Sequence, residues 1–312
     1  MRAQIHPDPP FPKEGTRARS ALLRWVASLA LLVALAPRAD ATEVQRIVSL
    51  APSVTETVFA LGLGDKVVGV SVYCDYPPEV AQIDRVGNFL TPNVEAIVAK
   101  HPDVVIAVPS PSNQNPVETL RRLGLKVVVV EPITVADIEQ SIVTIARELD
   151  REDAGRALVA RIEAQMAAVR ARVADAPARK VLMVVGQTPL IAVGAHTFQG
   201  ELIEMAHGVN VAAQAGGRWP HLSLEFAIAA APEVIIDTTM GNEERAGAGA
   251  ALAFWSQLPT IPAVREQRVY GYKEYQLLRP GPRIAAAFES LARFIQPEKF
   301  ASGGTGGSFV NP

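Results

Sequence analysis

The 312-residue chain has one cysteine, few aromatic residues and no excess of either charge. The single cysteine, Cys74, excludes a disulfide within the chain and any cysteine-based zinc cluster. The formal net charge of −2 provides no basic surplus for holding phosphates, so we expect no nucleic acid partner. After residue 41, no apolar run approaches the ~20 residues that a membrane-spanning helix needs.

Familiar catalytic motifs are missing as well. The sequence contains no G-x-S-x-G, H-E-x-x-H, P-loop or G-x-G-x-x-G pattern. The histidines beyond residue 41 are scattered, and no two of them are spaced to bind one metal from a single helix face. We therefore predict a binding protein rather than an enzyme, with no resident metal or cofactor.

Residues 1–41 are predicted to be a signal peptide. Arg17, Arg19 and Arg24 precede an apolar run from Trp25 to Ala36. This run is too short to span about 30 Å of hydrocarbon. The sequence Ala39-Asp40-Ala41 then matches the small-x-small cleavage pattern. We expect cleavage after Ala41 and export from the cytoplasm; the alternative, an uncleaved anchor, is disfavoured by the short run.

Short apolar runs alternate with helical patterns on both sides of the chain's midpoint. Continuous β-branched runs such as KVVVV are typical of parallel strands that helices cover on both faces. We predict an α/β fold with strands at 46–50, 66–72, 104–108, 126–130, 180–185, 234–237 and 268–272, and helices at 53–61, 93–100, 117–123, 197–206, 224–230 and 282–294.

The middle of the chain is predicted to be helical throughout. Residues 135–149 form one helical pattern, and Asp150 is placed to cap a second helix that ends near Pro177. The spacing of its apolar residues predicts a single buried stripe along five or six turns. The stripe comprises Leu158, Ile162, Met166, Val169 and Val173.

The same local pattern occurs twice, 130 residues apart. Segments 93–106 and 223–236 each contain a polar cap, a glutamate two residues later, a helix, a Pro-acid turn and an apolar strand. We therefore predict two similar α/β lobes joined by one long rigid α-helix, with a ligand crevice between the lobes. The predicted boundaries are 42–134 for the N-terminal lobe, 135–178 for the connecting helical segment, 179–298 for the C-terminal lobe and 299–312 for a flexible tail.

Aromatic residues make up 6% of the chain, so their positions are informative. Tyr73 and Tyr76 follow the second predicted strand, while Phe89 and Trp219 each lie six residues before the glutamate of the repeated pattern. We predict that rings from both lobes clamp a large, flat, partly apolar ligand. The alternative is that Phe89 and Trp219 cover the ends of the sheets.

Charged residues complete the candidate site. Arg279, in a proline-rich turn, is suited to bind a carboxylate, amide or phosphate of a ligand; the alternative is a solvated loop arginine. Glu95 and Glu225 hold the same position in each lobe, which suits docking onto a two-fold partner with basic pockets. The alternative for both glutamates is stabilisation of a helix dipole. Cys74 is either an inert thiol, which we favour, or a soft-metal ligand.

The sequence resembles the periplasmic cobalamin-binding proteins of ABC import systems. These belong to the helical-backbone class of substrate-binding proteins, which also carries haem and ferric siderophores. The resemblance covers about residues 45–298. It rests on the segments RIVSLAPSVTE (46–56), VGVSVYCDYPP (68–78), NVE (93–95), WP (219–220), SLE (223–225) and RPGPRI (279–284).

The resemblance implies that Tyr73, Trp219 and Arg279 line a corrinoid pocket, where Phe89 replaces a frequent tryptophan. It also implies that the two glutamates of the repeated pattern dock onto arginines of an inner-membrane permease dimer with its ATPase. We accordingly expect a periplasmic monomer that binds cobalamin or a related corrinoid. The sequence departs from the expected pattern at Val108 and Ile191, where larger aromatic residues are expected, so the exact ligand stays open.

Two other functions remain open from the sequence. In the haem branch of the family, a tyrosine before a proline, matching Tyr76, ligates iron, and Tyr73 loses its importance; a siderophore binder would need extra arginines in the cleft. An exported two-lobed enzyme, such as a transferase or a chelatase, would need a base or a metal in the crevice. For that function Asp75 and Glu56 are the acidic candidates.

Overall fold

A computed structural model of the protein describes residues 44–239, 248–272 and 275–300. The predicted signal peptide and the part of the predicted tail beyond residue 300 lie outside these ranges. Within them, every helix is too short or too polar to cross a membrane.

The N-terminal lobe is a four-stranded parallel sheet with helices on both faces. Its elements are β1 (Ile47–Ser49), α1 (Pro52–Ala60), β2 (Val67–Val70), α2 (Val94–Val98), β3 (Val104–Ala107), α3 (Gln114–Arg122) and β4 (Val127–Val129). The strand order is β2-β1-β3-β4. Alternate residues of β3 enter two separate apolar cores, Val104 and Ile106 on one face, Val105 and Ala107 on the other, so the sheet is buried on both sides.

The C-terminal lobe repeats this arrangement around a longer first strand. Its elements are β5 (Arg179–Gln187), β6 (Leu190–Ala192), α6 (Phe198–Met205), β7 (Gly208–Asn210), α7 (Leu224–Ala230), β8 (Val234–Asp237), α8 (Ala248–Trp255), α9 (Pro262–Arg265), β9 (Val269–Gly271) and α10 (Ile284–Ile295). Strands β7, β5, β8 and β9 run parallel, as β2, β1, β3 and β4 do in the first lobe. The predicted parallel sheet is thus present, but β6, which sequence patterns did not predict, pairs with β5 in the antiparallel direction.

Two helices connect the lobes, α4 (Val135–Glu148) and α5 (Glu152–Val173). The five residues of the predicted apolar stripe are all buried in α5. They belong to one continuous core that also includes residues of β1, β3, β5 and β8. A Cβ at Gly155 would lie 2.3 Å from the Ala146 side chain, so glycine permits the close packing of α5 on α4. The prediction of two similar α/β lobes joined by a long helix is confirmed.

The repeated sequence pattern has the same structural role in both lobes. Asn93 and Ser223 each accept a hydrogen bond from the backbone amide three residues on, which caps α2 and α7. Both patterns then leave the helix through a residue in the left-handed conformation, His101 (φ 47°) and Ala231 (φ 48°). The repeat therefore extends from the sequence to the backbone geometry.

The acid of the Pro-acid turn ties β3 to β1 in the first lobe and β8 to β5 in the second. Asp103 Oδ2 accepts hydrogen bonds from the amides of Gln45 at 2.8 Å and Arg46 at 2.9 Å. Glu233 Oε2 likewise accepts from the Lys180 amide at 2.8 Å. These bonds fix the start of β1 and of β5, which explains why a carboxylate follows the proline in both segments.

Two details of the prediction are wrong. Asp150 does not cap α5; it adopts the left-handed conformation (φ 57°) that ends α4, and Arg151 is the N-cap. The strand at 126–130 was predicted to be buried, but β4 lies at the edge of the sheet, and Val129 is 37% exposed.

Candidate ligand-binding cleft

The loops that carry the three predicted aromatic residues follow equivalent strands of the two lobes. Strand β2 pairs with β1, and the loop 71–93 after it carries Tyr73 and Phe89. Strand β7 pairs with β5, and the loop 211–223 after it carries Trp219. All three residues therefore lie beyond the carboxyl ends of parallel strands, the edge at which α/β sheets bind ligands.

The rings of Tyr73 and Phe89 contact each other. Their centroids are 5.5 Å apart and their planes are tilted by 58°. Tyr73 is 50% exposed and Trp219 is 45% exposed, so neither ring belongs to a core. Phe89 is partly buried. Exposed rings on matching loops of two lobes present apolar surface that a flat ligand can cover.

Backbone hydrogen bonds hold the Trp219 loop against β6. The Gly194 amide donates to the Arg218 carbonyl at 2.9 Å, and the Ala192 amide donates to the Pro220 carbonyl at 3.0 Å. A Cβ at Gly194 would lie 2.3 Å from the carbonyl oxygen of Gly217, so this approach requires glycine. Trp219 therefore sits between two anchored residues rather than on a free loop.

Four charged side chains form an ion cluster between the lobes: Glu56, Asp75, Arg279 and Arg283. Glu56 projects from α1, and its side chain is 1% exposed. Arg283 donates to both of its carboxylate oxygens, from Nε to Oε2 at 2.8 Å and from Nη2 to Oε1 at 2.7 Å. Arg279 Nη1 lies 3.3 Å from the same Oε1.

Asp75, in the loop after β2, is the second carboxylate that binds Arg279. Nη2 of Arg279 donates to Oδ2 at 2.8 Å, Nη1 donates to Oδ1, and Nη2 also lies 3.3 Å from the Tyr73 carbonyl oxygen. Burial alone would raise the pKa of Asp75, but the hydrogen bonds and charge of Arg279 outweigh it and lower the pKa below its ordinary value. Asp75 is therefore ionised at neutral pH, and the formal charges of the four side chains sum to zero.

Both arginines also lie over tyrosine rings. The guanidinium carbon of Arg279 is 5.0 Å from the Tyr275 ring centroid, and that of Arg283 is 4.0 Å from the Tyr76 centroid. The Arg279 side chain is 10% exposed, which contradicts the alternative of a solvated loop arginine. Because the carboxylates come from the N-terminal lobe and the arginines from the C-terminal lobe, the cluster joins the two lobes at the carboxyl ends of their sheets.

Comparison with known proteins identifies this architecture. The sequence profile of a family described as periplasmic binding protein matches residues 47–276. The chain belongs to this family. Among curated relatives, the vitamin B12-binding protein of Yersinia pseudotuberculosis is 28% identical over 267 residues, which cover 86% of this chain and 91% of that protein.

Two solved structures match this periplasmic binding protein over most of its length. The vitamin B12-binding protein BtuF of Vibrio cholerae matches with a TM-score of 0.71 at 27% identity, covering 82% of this chain and 98% of that one. The apo form of the heme-binding protein RhuT from Roseiflexus sp. RS-1 matches with a TM-score of 0.73 at 29% identity, covering 82% and 99%. The fold and the family are thus shared by relatives that bind different macrocycles.

In this periplasmic binding protein, Glu95 and Glu225 are both exposed near the start of their helices. Hydrogen bonds from the Glu225 backbone and from Ser223 lower the pKa of Glu225, so it is ionised at neutral pH. Leu224 and Ile228, beside Glu225, are 39% and 40% exposed. The acid therefore lies next to exposed apolar side chains, a combination that suits a protein partner.

Cys74 follows Tyr73 in the loop 71–93 and is buried. The Thr55 hydroxyl donates to its sulfur at 3.2 Å. Burial raises the pKa of the thiol, which keeps it protonated, so the structure favours the inert thiol over the metal ligand. Within the described ranges, no three His, Cys, Asp or Glu side chains lie close enough together to hold a metal ion.

Sequence reasoning missed the organising role of Glu56. It considered this residue only as a catalytic acid, whereas the structure shows it binding both arginines. The available signal was the only charged residue of the helix PSVTETVFA, because a buried carboxylate requires cationic partners.

Two cavities of about 310 and 290 Å³ lie along α5. Neither is lined by Tyr73, Phe89, Trp219 or Arg279, the predicted ligand residues.

Proposed function

We propose that this protein captures cobalamin or a related corrinoid between its lobes and delivers it to an inner-membrane ABC permease dimer with its ATPase. The main support for this proposal is the pair of exposed aromatic residues, Tyr73 and Trp219, on equivalent loops of the two lobes. Its vitamin B12-binding relatives, which match over most of the chain, support the same ligand class. The protein acts in the periplasm as a monomer and makes or breaks no bond.

The ion cluster favours an amide-bearing ligand over a carboxylate-bearing one. A corrinoid such as cobalamin presents mainly neutral amide side chains, whereas haem presents two carboxylates. Arg279 already binds Asp75 and Glu56, so it offers no unopposed positive charge to a propionate. The Tyr73 carbonyl oxygen and the carboxylate oxygens of Asp75 can still accept hydrogen bonds from the amide groups of a ligand.

Haem is the second candidate, and Tyr76 is the observation that favours it. Its ring is 43% exposed and lies in the same loop as Tyr73, where a phenolic oxygen can reach a ligand metal. Two features weigh against this candidate: Arg283 covers the Tyr76 ring, and the cluster has no net positive charge.

The direct test is a titration of the purified protein, without its signal peptide, with cyanocobalamin and separately with hemin, followed by absorbance or calorimetry. We expect micromolar or tighter binding of cyanocobalamin and weaker binding of hemin. Absence of cyanocobalamin binding would overturn the proposal. Tighter hemin binding, lost when Tyr76 is replaced by phenylalanine, would establish the second candidate instead.

A further inference from the structure

Asp75 differs from the other members of the ion cluster in its access to solvent. Its side chain is 55% exposed, whereas those of Glu56 and Arg279 are 1% and 10% exposed. Asp75 lies in the same loop as the exposed Tyr73, and the backbone carbonyl of Tyr73 also contacts Arg279. Asp75 is therefore the partner of Arg279 that solvent, or a ligand bound against the Tyr73 loop, reaches most readily.

The charge of Asp75 decides whether Arg279 can bind a second anion. Glu56 is shared by two guanidinium groups, because Arg283 occupies both of its oxygens and Arg279 contacts one. Without the Asp75 charge, the remaining three side chains carry a net charge of +1. The planar guanidinium of Arg279 can bind a carboxylate through two parallel hydrogen bonds, and Asp75 already makes both of them.

We propose that Asp75 is a specificity-determining residue that occupies the carboxylate-binding fork of Arg279 and so selects macrocycles with amide side chains over macrocycles with carboxylate side chains. The inference rests on the proposed function, because it takes the ligand to be a macrocycle that covers Tyr73. A carboxylate at this place either displaces Asp75 or lies beside it, and both options cost free energy. A neutral amide incurs no such repulsion.

A matched pair of ligands isolates this effect. Dicyanocobinamide and dicyanocobyrinic acid share the corrin ring and the cobalt, but the first carries amides where the second carries free carboxylates. Their dissociation constants are measured by calorimetry for the native protein, for Asp75→Asn and for Asp175→Asn. Asp175 is a suitable control because it is an exposed aspartate that pairs with Lys299 at 2.7 Å, after the end of α5.

We expect the native protein to prefer dicyanocobinamide. In Asp75→Asn the ratio of the two dissociation constants should shift toward the carboxylate ligand by about tenfold, the scale of one partly screened charge contact. High salt should reduce that shift, since it screens exposed charges. Asp175→Asn should keep the native ratio, and an Asp75→Ser variant should reproduce the shift if it arises from the lost charge.

The outcomes separate the two proposals. If the native protein binds corrinoids but the ratio in Asp75→Asn equals the native ratio, the role of Asp75 is overturned and the proposed function stands. The same holds if the native protein shows no preference between the two corrinoids. If the native protein binds neither corrinoid, the proposed function and this inference fail together.

Discussion

Replacing Trp219 by alanine tests the aromatic clamp most directly. An aromatic side chain offers about 150–250 Å² of surface, and Trp219 is 45% exposed, so roughly 100 Å² remains for a ligand to cover. At about 25 cal/mol per Å², covering that surface contributes about 2.5 kcal/mol, or about seventyfold in Kd. We therefore expect Trp219→Ala to weaken cyanocobalamin binding by about this factor.

The assay is calorimetric titration of the native protein and the variant, with Leu123→Ala as the control. Leu123 is 59% exposed at the end of α3, which leads into the amino end of β4 and therefore lies at the sheet edge opposite the proposed cleft. Its loss should leave the affinity unchanged. Equal affinities in all three proteins would refute the placement of Trp219 in the site, whereas equal losses in both variants would indicate a general effect on folding.

Further predictions concern the ion cluster and the two exposed glutamates. Glu56→Ala leaves Arg283 and Arg279 without their buried partner and should lower the free energy of unfolding by about 3 kcal/mol, measured by urea denaturation; a loss below about 1 kcal/mol would contradict the cluster's role in holding the lobes. Because the pKa of Asp75 is lowered in the folded protein, its contribution to stability should be complete above the ordinary aspartate pKa of 3.8 and lost as the pH falls through the folded pKa. The free energy of unfolding of Asp75→Asn, measured by urea denaturation, should therefore change less with pH in that acid range than that of the native protein. Reversing the charge at Glu95 and Glu225 together should impair uptake in cells while leaving ligand affinity intact, and uptake at the native rate would exclude docking through these acids.

The sequence predicted those elements whose patterns are strong. The helix 224–230 and the strand 234–237 have the predicted bounds, because a polar cap, a proline and a buried β-branched run mark their ends. Strands β6 (LIA) and β7 (GVN) were missed because each has a single β-branched residue and no aromatic one, so neither shows a strand pattern. Helix α8, with the sequence AGAALAFW, was missed because it consists of small and apolar residues throughout and so has no amphipathic pattern.

The ion cluster lay beyond prediction for a different reason. Its contacts join residues that are 204 to 227 positions apart, and nothing local in the sequence pairs a given arginine with a given acid. Composition and spacing placed Arg279 in a turn and Glu56 in a helix, but only the packing of two lobes brings them together. Long-range pairing of charges is fixed by the tertiary fold, whereas caps and strands are fixed within a few residues.

The continuous core has a consequence for transport. Residues of α5 and of both sheets form one apolar cluster, and the ion cluster adds a second link between the lobes. Opening the lobes widely would expose part of this core and break a buried ion pair, so closure on the ligand should be small. Glu95 and Glu225 are therefore held at a nearly constant separation whether ligand is bound or not. Under the proposed function, a two-fold permease would recognise this rigid pair of acids in a single chain, and we would then expect ligand release to be driven by the permease rather than by the binding protein itself.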